Sequence, residues 1–359
     1  MAAPGDAAAA TPAPGSAAPT GAAGATAVRA AGAATAASSR WSPARVALIA
    51  LVAFGAVAVA ALLAPKWLLF LTTMALSHGL AVLGVVVLTR GGGATFGQGL
   101  FFAVGAYVAA LWPQLPWGLG STDAVVRVLV GMAAAGVVGA VFAPLLARYR
   151  GIFFAMLTLA LSMVLFGLLS KSNALGGSDG IPVPRPTLFG TELGGHARVE
   201  YLLFLLTAGF TLVASLVVAV YWRSAAGLVA RAVAGNALRV EYLGASARAS
   251  LATSFVVSGL LGGLGGALTG LVLGHVEPNF TNWTTSGEFV FVAVLAGYQS
   301  IAAVFVASLL LEVVRSFSNL YFPNTWQLVL GAFLLLVILF RPAGLGSLWQ
   351  RKRPGGKAP

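Results

Sequence analysis

A chain of 359 residues that is 59% hydrophobic and only 8% charged cannot cover a water-facing surface; a soluble domain carries about 25% charged residues. With a mean hydropathy of +0.93, this excludes a soluble enzyme and predicts a polytopic membrane protein. The net charge of +12 comes without aromatic residues interleaved among the arginines, so it points to basic loops rather than nucleic acid.

The absence of cysteine removes disulfides, thiolate nucleophiles and cysteine-bound metals. His78, His196 and His275 lie too far apart for a helical ligand pair, so no metal site is expected. No catalytic residue and no cofactor site is expected either.

Residues 1–42 are mostly Ala, Gly, Pro, Ser and Thr, which cannot bury enough side chain to offset ordering entropy. They predict a disordered tail. Apolar runs follow at Val46–Ala64, Trp67–Leu88, Ala94–Trp112, Ala124–Ala147, Gly151–Ser170, Tyr201–Trp222, Leu251–Gly274, Phe289–Val314 and Trp326–Phe340. Each is near the roughly 20 residues that span a bilayer as a helix. Between them lie a proline-containing polar stretch, 171–199, and a basic loop, 223–250. The membrane domain is expected over 43–346, with a basic tail over 347–359.

Basic residues orient the set. With the N-terminus inside, Lys66, Arg127, Lys171, Arg185 and Arg198 fall outside; every other Lys and Arg falls inside, with Arg315 ambiguous. Both termini are then cytoplasmic. This requires three crossings between 288 and 341, with a break near Ala296-Gly297-Tyr298-Gln299-Ser300. The fold class expected is therefore all-α: a polytopic helical membrane protein of about eight to ten segments, one or more of them broken or re-entrant.

No GxxxxGK[ST] phosphate loop is present. Of the nine acidic residues, only Glu288 and Glu312 approach the membrane interior. Glu312 reads as the partner of Arg315 one turn on, which is thin support for an ion-coupled carrier. In the stretch Arg90–Ala110, glycines at 91, 92, 93, 97, 99 and 105 permit close helix packing or a helix break, and Thr95 and Gln98 add polar groups.

The order of these residues resembles the inner-membrane permeases of branched-chain amino acid ABC importers, the LivM-type subunits. Their G-x-x-S-L-G-Q-x-x-F-x-x-x-G-A-Y corresponds to Thr95, Phe96, Gly97, Gln98, Phe101, Gly105, Ala106 and Tyr107. Arg150–Ala155 with Leu157-Thr158-Leu159 is similar to R-G-x-Y-F-A-x-x-T-L, and Gly176–Ile181 to G-G-S-D-G-[IL]. Arg231-Ala232, Asn236, Glu241 and Leu243-Gly244 follow the family's next motif, and Ser258–Leu268 and Arg341–Gly346 its later ones. The chain departs from the family at 296–308, where most of the motif's glycines and its proline are missing.

The resemblance implies a non-enzymatic permease subunit in the bacterial inner membrane. It implies a second homologous permease, two cytoplasmic ATPases that bind the ATP, and a periplasmic or lipid-anchored solute-binding protein as partners, alongside membrane lipid and without nucleic acid. Thr95, Gly97, Gln98 and Thr158 become candidates for the translocation path. Arg231, Ala232, Asn236, Glu241, Leu243 and Gly244 become the ATPase-coupling loop, with a short helix over Gly227–Leu243. Its apolar contacts would be Leu228, Val229, Ala232, Val233, Ala237, Val240 and Tyr242. Gly177, Ser178, Asp179 and Gly180 become an outer loop that receives the binding protein. Branched-chain amino acids are the implied solutes. Urea or short amides in the same importer class, or a self-contained secondary carrier, are the alternatives.

Overall fold

The computed structural model describes residues 65–114, 122–187, 196–298 and 300–321, with a few isolated positions beyond them. The 1–42 tail, the run Val46–Ala64 apart from Gly55, most of Trp326–Phe340, the closing 341–346 motif and the 347–359 tail lie outside the described residues. The described helices are α1 (Lys66–Arg90), α2 (Gln98–Leu111), α3 (Ala124–Leu146), α4 (Ile152–Lys171) and α5 (His196–Arg223). They continue with α6 (Ala225–Tyr242), α7 (Ala247–Leu273), α8 (Trp283–Ala296) and α9 (Ile301–Tyr321). One two-stranded antiparallel pairing joins β1 (Ile181–Pro182) to β2 (His275–Val276).

Six of these helices have the length and hydropathy of a membrane span: α1, α3, α4, most of α5, α7 and α9. This is the polytopic helical protein the composition predicts. At 14 residues each, α2 and α8 reach only about 21 Å, short of the roughly 30 Å hydrocarbon core. The expected run Ala94–Trp112 is therefore a non-helical entry over 91–97 followed by a short helix. The Phe289–Val314 run is likewise two helices. Gly297, at φ +73, ends α8, and Glu288 near the start of α8 meets Arg315 near the end of α9, so the two run antiparallel. Of the expected break, only Gln299 lies outside the described residues.

The core forms where α7 crosses α1, α2 and α3. Lipid tails are as apolar as leucine, so helices here gain most by close approach of their backbones. The sequence Ser258–Leu268 supplies that approach. A side chain on Gly266 would collide with the Phe102 carbonyl, and one on Gly105 with the Gly263 backbone. Around this crossing the fully buried Leu80, Leu83, Phe102, Ala267 and Leu268 fill one cluster.

The connections sort into two ends. At one end the α3–α4 corner meets α6 through Arg150 and Glu241, and the turn after α1 touches α6 at Ala234. The other end holds the β1–β2 pairing and the Asp123–Thr187 bridge. Arg127, expected in an outer connection, instead lies a turn inside α3 and is fully buried. Its guanidinium donates from Nε to the Ala109 carbonyl (2.7 Å) and from Nη1 to the Pro184 carbonyl (2.9 Å), tying the end of α2 to the 181–187 segment.

Candidate functional site

The glycine-rich entry between α1 and α2 is well ordered by hydrogen bonds. The N–H groups of Gly91, Gly92 and Gly93 close back on the carbonyls of Val87, Leu88 and Thr89, which caps α1. Gly92 has φ +83, and a side chain there would press on Ala234 of α6. Thr95 Oγ1 accepts from Gly97 N (3.1 Å), and Thr158 Oγ1 of α4 accepts from Phe96 N (3.3 Å). Gly97 leaves room for the Thr158 carbonyl, 2.5 Å from where a Cβ would stand. Thr95, Gly97 and Thr158 are thus gathered at one place.

Gln98 is placed differently from its neighbours. It is fully buried; Nε2 donates to the carbonyls of Ala81 (3.0 Å) and Ser258 (3.2 Å), and Oε1 accepts from Ser258 Oγ (2.9 Å). Its amide is spent on stapling α1 and α7 to the start of α2. Each such bond is worth about 1 kcal/mol net, and more would be lost if a partner were left unpaired in the interior. Thr95 and Phe96, by contrast, line a cavity of about 340 Å³ with Val85, Thr89, Val294 and Tyr298. Its size falls at the lower end of ligand cavities, about 300–1,000 Å³.

The basic loop folds as α6. Ser224 caps its start, and Asn236, at φ −159 and ψ 100, interrupts it. Asn236 Oδ1 accepts from Arg239 N (3.1 Å), so Asn236 is the N-cap of a second helical piece. The C-terminus closes with Gly244 N to Glu241 O (3.0 Å) and Ala245 N to Val240 O (3.2 Å), a Schellman motif with Gly244 at φ +85. Val233, Val240 and Ala247 form the small cluster beneath. Leu228, Ala232 and Tyr242, expected as apolar contacts, are exposed, as are Arg231, Arg239, Leu238 and Leu243. Glu241, expected to face a partner, pairs with Arg150 Nη2 at 3.1 Å within the chain.

At the opposite end, Gly176 (φ +84) and Gly180 (φ +75) turn the loop between α4 and β1. Gly180 abuts the Val276 carbonyl, so the loop is seated on β2. Ser178 and Asp179 point out and are exposed; Gly177 is half-buried.

One constellation was not anticipated. Glu312 pairs with His78 Nδ1 (3.2 Å), not with Arg315, and Arg315 Nη1 pairs with Glu288 (3.4 Å). The i,i+3 spacing within α9 suggested the wrong partner because α1 and α8 bring closer charges. A histidine in the middle of the apolar run Trp67–Leu88 is the signal the sequence offers for this pairing. Among the described residues no cluster suits a metal ion.

This is a multi-pass helical membrane protein that exposes a basic, partly apolar helix at one end of its spans. The chain belongs to the family described as "Branched-chain amino acid transport system / permease component", whose model matches residues 67–339. It is 29% identical to the high-affinity branched-chain amino acid transport system permease protein LivM of Escherichia coli strain K12, over 72% of this chain and 65% of that protein. It is also 29% identical to the LivM protein of Salmonella typhimurium strain LT2, over 77% of this chain and 69% of that protein. The match thus spans about two thirds of the length of these relatives. No solved structure matches the chain significantly.

Proposed function

We propose that this chain is one membrane subunit of an ATP-driven importer for branched-chain amino acids in the bacterial inner membrane. It forms the path together with a second homologous permease. Two cytoplasmic ATPases supply the energy and a solute-binding protein supplies the solute. Within this reading the chain does no covalent chemistry and binds no ATP.

The observation that carries the reading is α6. It is a helix outside the spans that leaves Leu238, Tyr242 and Leu243 exposed (Leu243 at 86%) beside Arg231 and Arg239. An apolar surface of this kind, rimmed by charge, suits a protein partner. Its back touches the Gly92 turn at Ala234, and that turn leads through Ala94 to the cavity-lining Thr95 and Phe96. A push on α6 thus reaches the cavity through about five residues of backbone, which is a route for coupling by rigid-body movement. The mostly apolar lining suits an aliphatic side chain better than urea or a short amide.

The test is reconstitution in proteoliposomes with the ATPase, second-permease and binding-protein genes that neighbour this one. Leucine uptake is expected to require ATP and the loaded binding protein. Uptake by the purified chain alone, driven by a proton or sodium gradient, would establish the carrier instead. Preferential uptake of urea or an amide would replace the solute. Orientation is tested separately in intact cells: Ser178→Cys is expected to react with an impermeant thiol reagent from outside and Ser224→Cys is not. The native chain has no cysteine to confuse the result.

A further inference from the structure

Four ionisable side chains from three membrane helices meet halfway along α1. His78 is twelve residues from each end of α1, Lys66 and Arg90, about 18 Å from either by helix rise. It faces Glu312 of α9 at 3.2 Å, and Glu288 of α8 faces Arg315 of α9 at 3.4 Å. Glu312 and Arg315 lie three residues apart on one face of α9, so the two pairs adjoin. Charges at this depth are expensive and generally mark a pathway.

We propose that His78, Glu288, Glu312 and Arg315 form a station for the zwitterionic head group of an α-amino acid on its way through the permease. The proposal rests on the importer reading and names the residues that receive the charged end of its solute.

Three features separate a station from a fixed latch. First, the two ion pairs, at 3.2 and 3.4 Å, are longer than the roughly 2.7–2.9 Å of a strong charge-assisted bond. A longer contact gives up less attraction when a solute's own charges take its place. Second, the side chains are not sealed: His78 and Glu312 keep 17% and 15% of their surface, and Arg315 and Glu288 keep 36% and 18%. Third, the signs are matched to a zwitterion. An ammonium group has three donors to share between the two carboxylates, and a carboxylate can then take Arg315 and His78. The exchange adds no net charge. A neutral amide such as urea offers no charge to exchange, and an amine without a carboxylate would leave Arg315 unbalanced.

The same α1–α8 seam carries the apolar cavity, lined by Val85 and Val86 on α1 and by Val290, Ala293 and Val294 on α8. It lies seven residues from His78, about 10 Å along α1. Phe102 and Phe289 stand beside His78 with ring centroids at 5.7 and 5.9 Å. A head-group station and an aliphatic cavity are therefore successive stops on one seam, which is the order of chemistry that an amphiphilic solute such as leucine requires.

The test uses the reconstituted complex with the loaded binding protein and ATP. Membrane carboxylates are labelled with dicyclohexylcarbodiimide and mapped by mass spectrometry. Turnover with leucine is expected to lower labelling at Glu288 and Glu312 by about threefold or more, while urea leaves it unchanged; equal labelling with and without leucine overturns the proposal. In parallel, Glu288→Gln and Glu312→Gln are expected to lower leucine uptake about tenfold while binding-protein-stimulated ATP hydrolysis stays within about twofold. Uptake close to the unmodified level, or uptake and hydrolysis falling together, overturns the station and leaves a helix latch. If either variant fails to assemble, the labelling of the unmodified complex decides. Failure of the unmodified complex to import with ATP would instead defeat the importer reading itself.

Discussion

Two stretches of this chain are made of the same small residues and face opposite fates. In α7, Ser258–Leu268 uses glycine to bring backbones together, so that Gly266 lies against the Phe102 carbonyl and Gly263 against Ala135. In α6, Ala225–Ala237 is equally rich in Ala and Gly, yet nothing lies within 4 Å of a side chain added at Gly235. Ala232 nearby is exposed, while Ala234 meets the Gly92 turn. The difference teaches that the glycines of this α7 stretch are matched to neighbours within the chain, whereas Ala232 and Gly235 on α6 leave a thin surface that a partner can approach.

The sharpest way to break the comparison is to add bulk at both places. Gly266→Leu forces the Phe102 backbone aside and is expected to cost about 3 kcal/mol or more, because interior overpacking leaves no direction to relax. Folded, monodisperse protein in detergent should be largely lost. Gly235→Ala, sited in open space beside the Asn236 break, should change stability by less than about 1 kcal/mol. Thermal unfolding in detergent checks both; a similar loss at the two sites would erase the distinction.

Gln98 tests whether the interior also depends on polar matching. Gln98→Leu keeps most of the volume but leaves the Ser258 hydroxyl and two carbonyls without their partner. A loss of about 1–3 kcal/mol in thermal unfolding is expected. Normal stability with reduced uptake would return Gln98 to the translocation path.

Gly244→Val probes the α6 side at its most constrained point. No described atom lies within 4 Å of a Cβ added there, so the cost comes from holding a β-branched residue at φ +85, about 1–2 kcal/mol. That is less than at Gly266, because strain at a surface turn is confined to α6. Recovery of the ATPase with this chain should fall while insertion and folded yield stay near normal. Normal recovery with normal uptake would leave α6 as a topology signal.

What the sequence made legible follows the physical strength of each signal. The membrane class came from composition, since charge depletion acts along the whole chain. Most spans came from runs of apolar residues bounded by Lys or Arg. The short α2 was less legible: the glycines at 91–93 announce a break, but not that helix resumes only at Gln98. Gly244 was legible as a helix stop because positive φ leaves few alternatives. Glu241 and Glu312 were not. Both have a plausible partner nearby in sequence or in the family pattern, and both find one across the fold, in Arg150 and His78. Charge pairing between helices depends on how they cross, which a single sequence encodes only through the packing of every other residue.

The pair of Glu241 with Arg150 carries the smallest expected effect and the finest distinction. Both side chains are substantially exposed, at 48% and 39%, so solvent screens the pair and its contribution to stability is about 0.2–1 kcal/mol. Glu241→Ala and Arg150→Ala should each shift thermal unfolding slightly, and the double variant should lose no more than about the larger of the two. The functional readout is more telling. If the pair only braces the α3–α4 corner against α6, both single variants and the double variant should reduce ATPase recovery equally, because each removes the same brace. If Glu241 also meets a basic group on the ATPase, its loss removes a contact that Arg150 never made. Glu241→Ala would then lower recovery more than Arg150→Ala, and the gap would shrink as salt rises. Since the carboxylate meets Arg150 through Oε1 while about half of the side chain's surface stays exposed, the second outcome is the one expected.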